Sequence, residues 1–129
     1  MHDSKHGNST LGESFLHAAQ GVATAAHERN FKIECAVGIL AVILGFAFRV
    51  SLPEWLAIVI CIGVVLGFEC ANTALEALVD LASPDVHPLA KRAKDCMAAS
   101  ALITSIAAFI VGLVLFLPRI LSVLGIVGW

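Results

Sequence analysis

The chain has 129 residues, of which 59% are hydrophobic and 14% charged, with a mean hydropathy of +0.92. That apolar share lies above the usual range of soluble domains, and the length allows one domain, so the composition excludes an ordinary soluble enzyme and points to a membrane protein. A net charge of −2 says little about partners and gives no ground for expecting a nucleic acid.

Residues 1–11 begin MHDSKHGNST, polar and without an apolar centre; they read as a disordered tail and lack the pattern of a signal peptide. The segment 13–30 follows as an alanine-rich helix with Phe15, Ala19, Val22 and Ala26 at helical spacing, capped by Thr10 or Ser14. An amphipathic helix lying in the membrane interface is the natural reading, and a cytoplasmic extension of the first span is the alternative.

Three apolar runs come next, at 35–48, 55–81 and 96–117. At about 1.5 Å rise per residue a span needs about 20 residues, so the second and third runs suffice alone and the first needs flanking residues. The expected transmembrane helices are 31–50, 55–82 and 94–117. Pro53 suits the first turn of the second span and Trp55 suits an interface. The stretch SPDVHPLAKRAKD from Ser83 forms a loop and the opening of the third helix near Leu89, and 118–129 is an apolar tail too short to span again, with Trp129 as an interfacial anchor. The fold class is an all-α membrane protein: three transmembrane helices preceded by an interfacial helix, one domain over 1–129.

With three spans, Lys5, Arg29, Lys32, Lys91, Arg92 and Lys94 share one side, and only Arg49 and Arg119 fall on the other. The positive-inside rule puts the N-terminus and the 83–94 loop in the cytoplasm and the C-terminus outside. The four cysteines, Cys35, Cys61, Cys70 and Cys96, lack C-x-x-C spacing and read as small buried hydrophobes, neither a disulfide framework nor a zinc site. His2, His6, His17 and His27 show no zinc spacing; His87 stands out because it lies in the charged loop.

The chemistry concentrates at the end of the second span. At about 100° per residue, Glu69, Asn72, Glu76 and Asp80 share one stripe less than a quarter-turn wide, with Thr73 beside it. A carboxylate inside a span costs roughly 2.5–3.5 kcal/mol at the helix centre, so such groups face a protein interior or a wet cavity and act there. Glu76 and Asp80 have a plainer reading as interfacial groups paired with Lys or Arg; Glu69 lies too deep for that.

An up-down-up arrangement brings Glu28, Glu76, Asp80, Lys94 and Asp95 to one membrane level. Two carboxylates such as Glu28 and Glu76 suit Mg²⁺, which completes its octahedron with waters and nucleotide phosphates. Lys94 offers a compact cation near a helix start, where backbone N–H groups also favour anions. Glu69, deeper and poorly hydrated, suits a general base that a lipid hydroxyl reaches. Together these describe phosphoryl transfer from a metal-bound nucleotide to a membrane alcohol, without any soluble-kinase signature. Two other readings stay open at this point: a proton- or ion-handling subunit titrating at Glu69, and a structural bundle with interhelical polar bonds.

The motifs ERNFKIE, ECANTALEALVD and HPLAKRAKDCMAAS occur in this order, and through them the chain, from about 14 to 121, resembles the small prokaryotic membrane lipid kinases, the diacylglycerol and undecaprenol kinase family. The resemblance implies Glu69 as catalytic base, Glu28 and Glu76 as metal-binding carboxylates that also meet ATP, and Lys94 and Asp95 as a nucleotide-site pair. It implies further that Asp85, Val86 and His87 border the nucleotide and that Asn72 and Asp80 support the site. It also implies Mg²⁺, ATP, a lipid alcohol, a multi-pass place in the bacterial inner (plasma) membrane, and a homotrimer with active sites between subunits. HPLAKRAKD, ERNF, PEW and GLVLFLP are closer to the undecaprenol kinase branch, with diacylglycerol as the alternative substrate; Cys70 and Cys96 beside active positions suggest thiol sensitivity.

Overall fold

The computed structural model describes residues 10–126, and these form four helices in chain order, α1 (Leu11–Ala25), α2 (Arg29–Ala47), α3 (Leu52–Ala82) and α4 (Pro88–Val123). Residues 1–9 of the expected tail and the Trp129 anchor lie outside the described residues. α2, α3 and α4 are each long and apolar enough to cross a membrane.

Local chemistry sets each boundary. α1 opens on a capping box in which the Thr10 N–H donates to Glu13 Oε2 at 2.7 Å and the Glu13 N–H donates to Thr10 Oγ1 at 3.3 Å. Thr10, one of the two expected caps, is therefore the cap, and helix starts earlier than the sequence suggested. α1 stops at Ala25, short of the expected 30, because the Glu28 N–H turns back to the Ala25 carbonyl and Glu28 starts a new helix as N-cap.

α2 ends in a tight reversal. The Val50 N–H donates to the Gly45 carbonyl at 3.1 Å, the Arg49 N–H to that of Phe46 at 3.2 Å, and Arg49 has φ 49°, the left-handed residue of a Schellman cap. Val50 is thereby tucked into a small core with Ile58 and Phe116. α3 then begins at Leu52 with Ser51 as N-cap, whose N–H and hydroxyl both donate to Glu54 Oε2, at 2.7 and 2.9 Å. Pro53 lies in that first turn, where its missing N–H costs nothing.

α4 starts at Pro88 with His87 as N-cap, its Nδ1 accepting from the Leu89 N–H at 3.1 Å. The helix then runs through Pro118 and Arg119 to Val123, so the first part of the expected 118–129 tail is a continuation of α4. Pro118 removes one ladder donor, and the Arg119 guanidinium supplies another by donating from Nη1 to the Leu115 carbonyl.

α3 is the central element: it packs along α4, receives α2 on another side and meets α1. α2 and α4 scarcely touch. Close approach of α2 to α3 uses Gly38 against Ile62 and Gly45 against the Trp55 ring, where an added Cβ would lie 3.4 and 2.8 Å from the nearest atom. Only 17% of the most apolar window of α2, 17% of that of α3 and 11% of that of α4 is buried, so lipid or further protein must cover most of the apolar surface.

The four cysteines are free; Cys35, Cys61 and Cys70 are half-buried, while Cys96, read from the sequence as buried, is exposed because it lies near the start of α4, outside the packed middle.

Candidate active site

The stripe expected on the second span is present on the last four turns of α3. Glu69 is its deepest member and, at 5% exposure, the one buried polar or charged residue among the described residues. Thr73 donates its hydroxyl to the Glu69 carbonyl at 3.1 Å, which fixes the turn above it. Asn72 Nδ2 donates to Glu76 Oε1 at 3.1 Å, so the amide orients the carboxylate one turn on. At the rim Asp80 accepts from Lys94 of α4 across the helix pair.

Asn72 Oδ1 is the buried side-chain oxygen without a hydrogen-bond partner among the described residues. Its Nδ2 is committed to a carboxylate, which can only accept, so the oxygen is the end left facing outward from that bond. An unpaired buried acceptor next to Glu76 calls for a donor or a cation. Glu28, the N-cap of α2, makes no capping bond with its side chain and is exposed, so its carboxylate is free of its own helix. Glu34, Glu76 and Glu28 all lie within electrostatic reach of Glu69. Two carboxylates and an amide oxygen fit Mg²⁺, which is content with few protein ligands; no group of three or more His, Cys, Asp or Glu able to hold a metal occurs among the described residues.

The other expected residues divide. Lys94 faces Asp80, whereas Asp95 pairs with Lys91, one turn back on α4, so the two members of the expected Lys94–Asp95 pair take different partners. Asp85, Val86 and His87 lie exposed in the α3–α4 loop; the Asp85 carbonyl accepts from Ser83 Oγ at 3.1 Å, and His87 caps α4. Sequence reasoning missed Glu34. It closes the quoted ERNFKIE motif as a carboxylate inside the first span, a signal equal in kind to Glu69, and the structure pairs it with Ser105 of α4 at 2.7 Å. Sequence reasoning also missed the pairing of Glu54 Oε1 with Arg119 Nη2 at 2.8 Å, at the opposite end of the bundle.

This is a polytopic membrane protein with a polar stripe that runs from a buried carboxylate on α3 to the end of that helix. The sequence matches the prokaryotic diacylglycerol kinase family over residues 16–116, most of the chain, and the protein belongs to that family. It is similar to undecaprenol kinase of Bacillus subtilis (strain 168), 40% identical over 109 residues that cover 84% of this chain and 89% of the relative. It is similar also to a diacylglycerol kinase of Synechocystis sp., 38% identical over 113 residues covering 86% of this chain and 65% of that protein. The protein is therefore a membrane lipid kinase, and the ion-handling and purely structural readings fall away.

Proposed function

We propose that the protein transfers the γ-phosphoryl group of ATP to the hydroxyl of undecaprenol, giving undecaprenyl phosphate, with diacylglycerol as the second candidate acceptor. The observation that carries the reading is the graded stripe on α3: buried Glu69, then the Asn72–Glu76 bond, then the Asp80–Lys94 pair at the rim. Undecaprenol ranks first because the HPLAKRAKD, ERNF, PEW and GLVLFLP stretches are closer to that branch, and the Bacillus relative agrees.

Glu69 takes the proton of the lipid hydroxyl as the oxygen attacks the γ-phosphorus, whose bond to the β,γ-bridging oxygen breaks so that ADP leaves. Asn72 holds Glu76 so that Glu76, with Glu28 from the start of α2, can hold Mg²⁺; the ion supplies charge neutralisation of the phosphates. Lys94, moving from Asp80 to the nucleotide, places a cation on the phosphates, with Asp95 beside it and Asp85, Val86 and His87 bordering the nucleotide. α1 lies in the interface with Leu11, Phe15 and Val22, all at least half exposed, toward lipid. The N-terminus, the 83–87 loop and the start of α4 are cytoplasmic, the outer end carries Arg49 and Arg119, and three copies assemble with sites between subunits, covering apolar faces the single chain leaves bare.

Purified protein in mixed micelles with labelled ATP and either lipid tests this. Faster transfer to undecaprenol is expected; faster transfer to diacylglycerol reverses the ranking, and transfer to neither overturns it.

A further inference from the structure

α2 and α4 scarcely touch, which leaves a slot between them, and Phe116 at one end of that slot packs its ring on Phe48 with centroids 6.4 Å apart. Beside the Phe48 ring lies a second pocket of about 510 Å³, walled by Phe48, Val114, Leu115 and Pro118 and carrying Arg119 and Ser122. It belongs to the end of the bundle away from the α3 stripe. Arg119 meets Glu54, and Glu54 stands about 22 Å along α3 from Glu69, too far for a part in phosphoryl transfer.

Arg119 and Ser122 are the only side chains of α4 between Val111 and Leu124 able to hydrogen-bond, and their i, i+3 spacing puts them on one face. A guanidinium carries five N–H donors. Nη1 gives one to the Leu115 carbonyl and Nη2 one to Glu54 Oε1, which leaves three unassigned among the described residues. Ser122 departs from the other helical hydroxyls. Ser14, Thr24, Thr73, Ser100, Thr104 and Ser105 each donate to a carbonyl about one turn back, as such residues do within helices. The half-buried Ser122 makes no such bond, nor any other side-chain hydrogen bond among the described residues. The neighbouring carboxylate is fully engaged: Glu54 Oε1 accepts from Arg119 and Oε2 from the N–H and hydroxyl of Ser51, and Glu54 does not line the pocket. The pocket thus offers donors and a positive charge beside an apolar wall.

An occupant that satisfies both must be an anion rich in acceptors that also carries an apolar chain. The level of the pocket decides its source. Leu117, Val123 and Leu124 are apolar and exposed on either side of the Arg119 turn, so this part of α4 lies against lipid, where the anions are head-group phosphates. Arg49, Glu54 and Arg119 are the charged residues of this end, which leaves it one positive charge in excess. We propose that the pocket binds an anionic phospholipid of the leaflet opposite the α3 stripe, its phosphate on Arg119 and Ser122 and the upper part of one acyl chain on Phe48 and Val114. The site goes beyond the transfer chemistry and stands whichever lipid alcohol the enzyme phosphorylates. The bound lipid completes the hydrogen bonding of Arg119 just past Pro118 and joins the α2 cap to α4, two helices that otherwise scarcely touch.

The test titrates delipidated full-length protein in a neutral detergent with phosphatidylglycerol, phosphatidylcholine and glycerol 1-phosphate, counting bound molecules by native mass spectrometry. Phosphatidylglycerol is expected to bind more tightly than phosphatidylcholine, and glycerol 1-phosphate far more weakly than either. Arg119→Gln and Ser122→Ala are each expected to weaken phosphatidylglycerol binding about tenfold, the worth of one hydrogen bond to a charged group. Glu54→Gln breaks the same ion pair but keeps the cation, so it should bind phosphatidylglycerol at least as tightly as the wild type. A loss in Glu54→Gln equal to that in Arg119→Gln shows that the pair only holds the fold, and overturns the proposal. Equal affinity for the two phospholipids, or glycerol 1-phosphate bound as tightly as the lipid, overturns it as well. Should the Arg119 or Glu54 variants fail to fold, a phosphatidylglycerol with a diazirine near its head group is cross-linked to the wild type and the adducts are mapped. Adducts on Phe48 and on 114–123 support the proposal, and adducts confined to other segments overturn it.

Discussion

At the scale of single residues, depth sorts the carboxylates. Glu69 is buried, Glu76 is half-buried and held by Asn72, and Asp80 is exposed and paired with Lys94. A general base is worth about 10²–10⁴-fold, so Glu69→Gln should cut turnover at least 100-fold while nucleotide binding, followed by equilibrium dialysis, persists. Loss of binding in that variant would argue against the base role. Lys94→Ala should instead raise KM for ATP about tenfold, the worth of one charge-assisted contact, with a smaller effect on the lipid KM. The stripe itself was legible in the sequence because a helix's period is fixed by its geometry. The Asn72–Glu76 bond follows from the same i, i+4 spacing, but the partner of Lys94 does not: Asp80 is 14 residues away and meets it only because α3 and α4 pack antiparallel.

At the scale of elements, the helix ends explain much of the packing. Arg49 occupies the left-handed position of the α2 cap, where glycine is the favoured residue, so Arg49→Gly should be neutral or stabilising by about 1 kcal/mol or less in thermal unfolding in detergent. Gly45 behaves oppositely. A Cβ there would lie 2.8 Å from Trp55, whose ring also packs at a tilt against Phe46 with centroids 4.7 Å apart, so Gly45→Ala should destabilise by about 1–3 kcal/mol and shift Trp55 emission. At the end of the bundle away from the α3 stripe, the Glu54–Arg119 pair ties the start of α3 to α4 just past Pro118, and Arg119→Ala should lower the unfolding temperature more than Arg119→Lys does. The expected tail at 118 turned out to begin as helix for a related reason. α4 has enough apolar length to carry a proline, and Arg119 supplies a donor to the carbonyls around the break.

At the scale of the whole molecule, an up-down-up chain exposes most of its apolar surface, and the polar site gathers at one end. Cys96 is exposed near that end, while Cys35, Cys61 and Cys70 are half-buried. A membrane-impermeant maleimide should therefore label Cys96 in inverted vesicles and not in intact cells; the reverse pattern would invert the proposed topology. Cross-linking in native membranes followed by mass measurement should give three copies, with the bare faces of the spans buried between them.

Composition and hydropathy period by themselves determined the class, the three spans and the α3 stripe, since each depends on local geometry or on the cost of polar groups in lipid. The tertiary structure alone decided that Glu34 meets Ser105, that Glu54 meets Arg119, that Lys94 faces Asp80, and that α2 and α4 stand apart to leave a slot. Those depend on how far helices lean from one another and at what rotation. Both are set by packing at a few sites such as Gly38 on Ile62 and Gly45 on Trp55, and no period within a single helix records them.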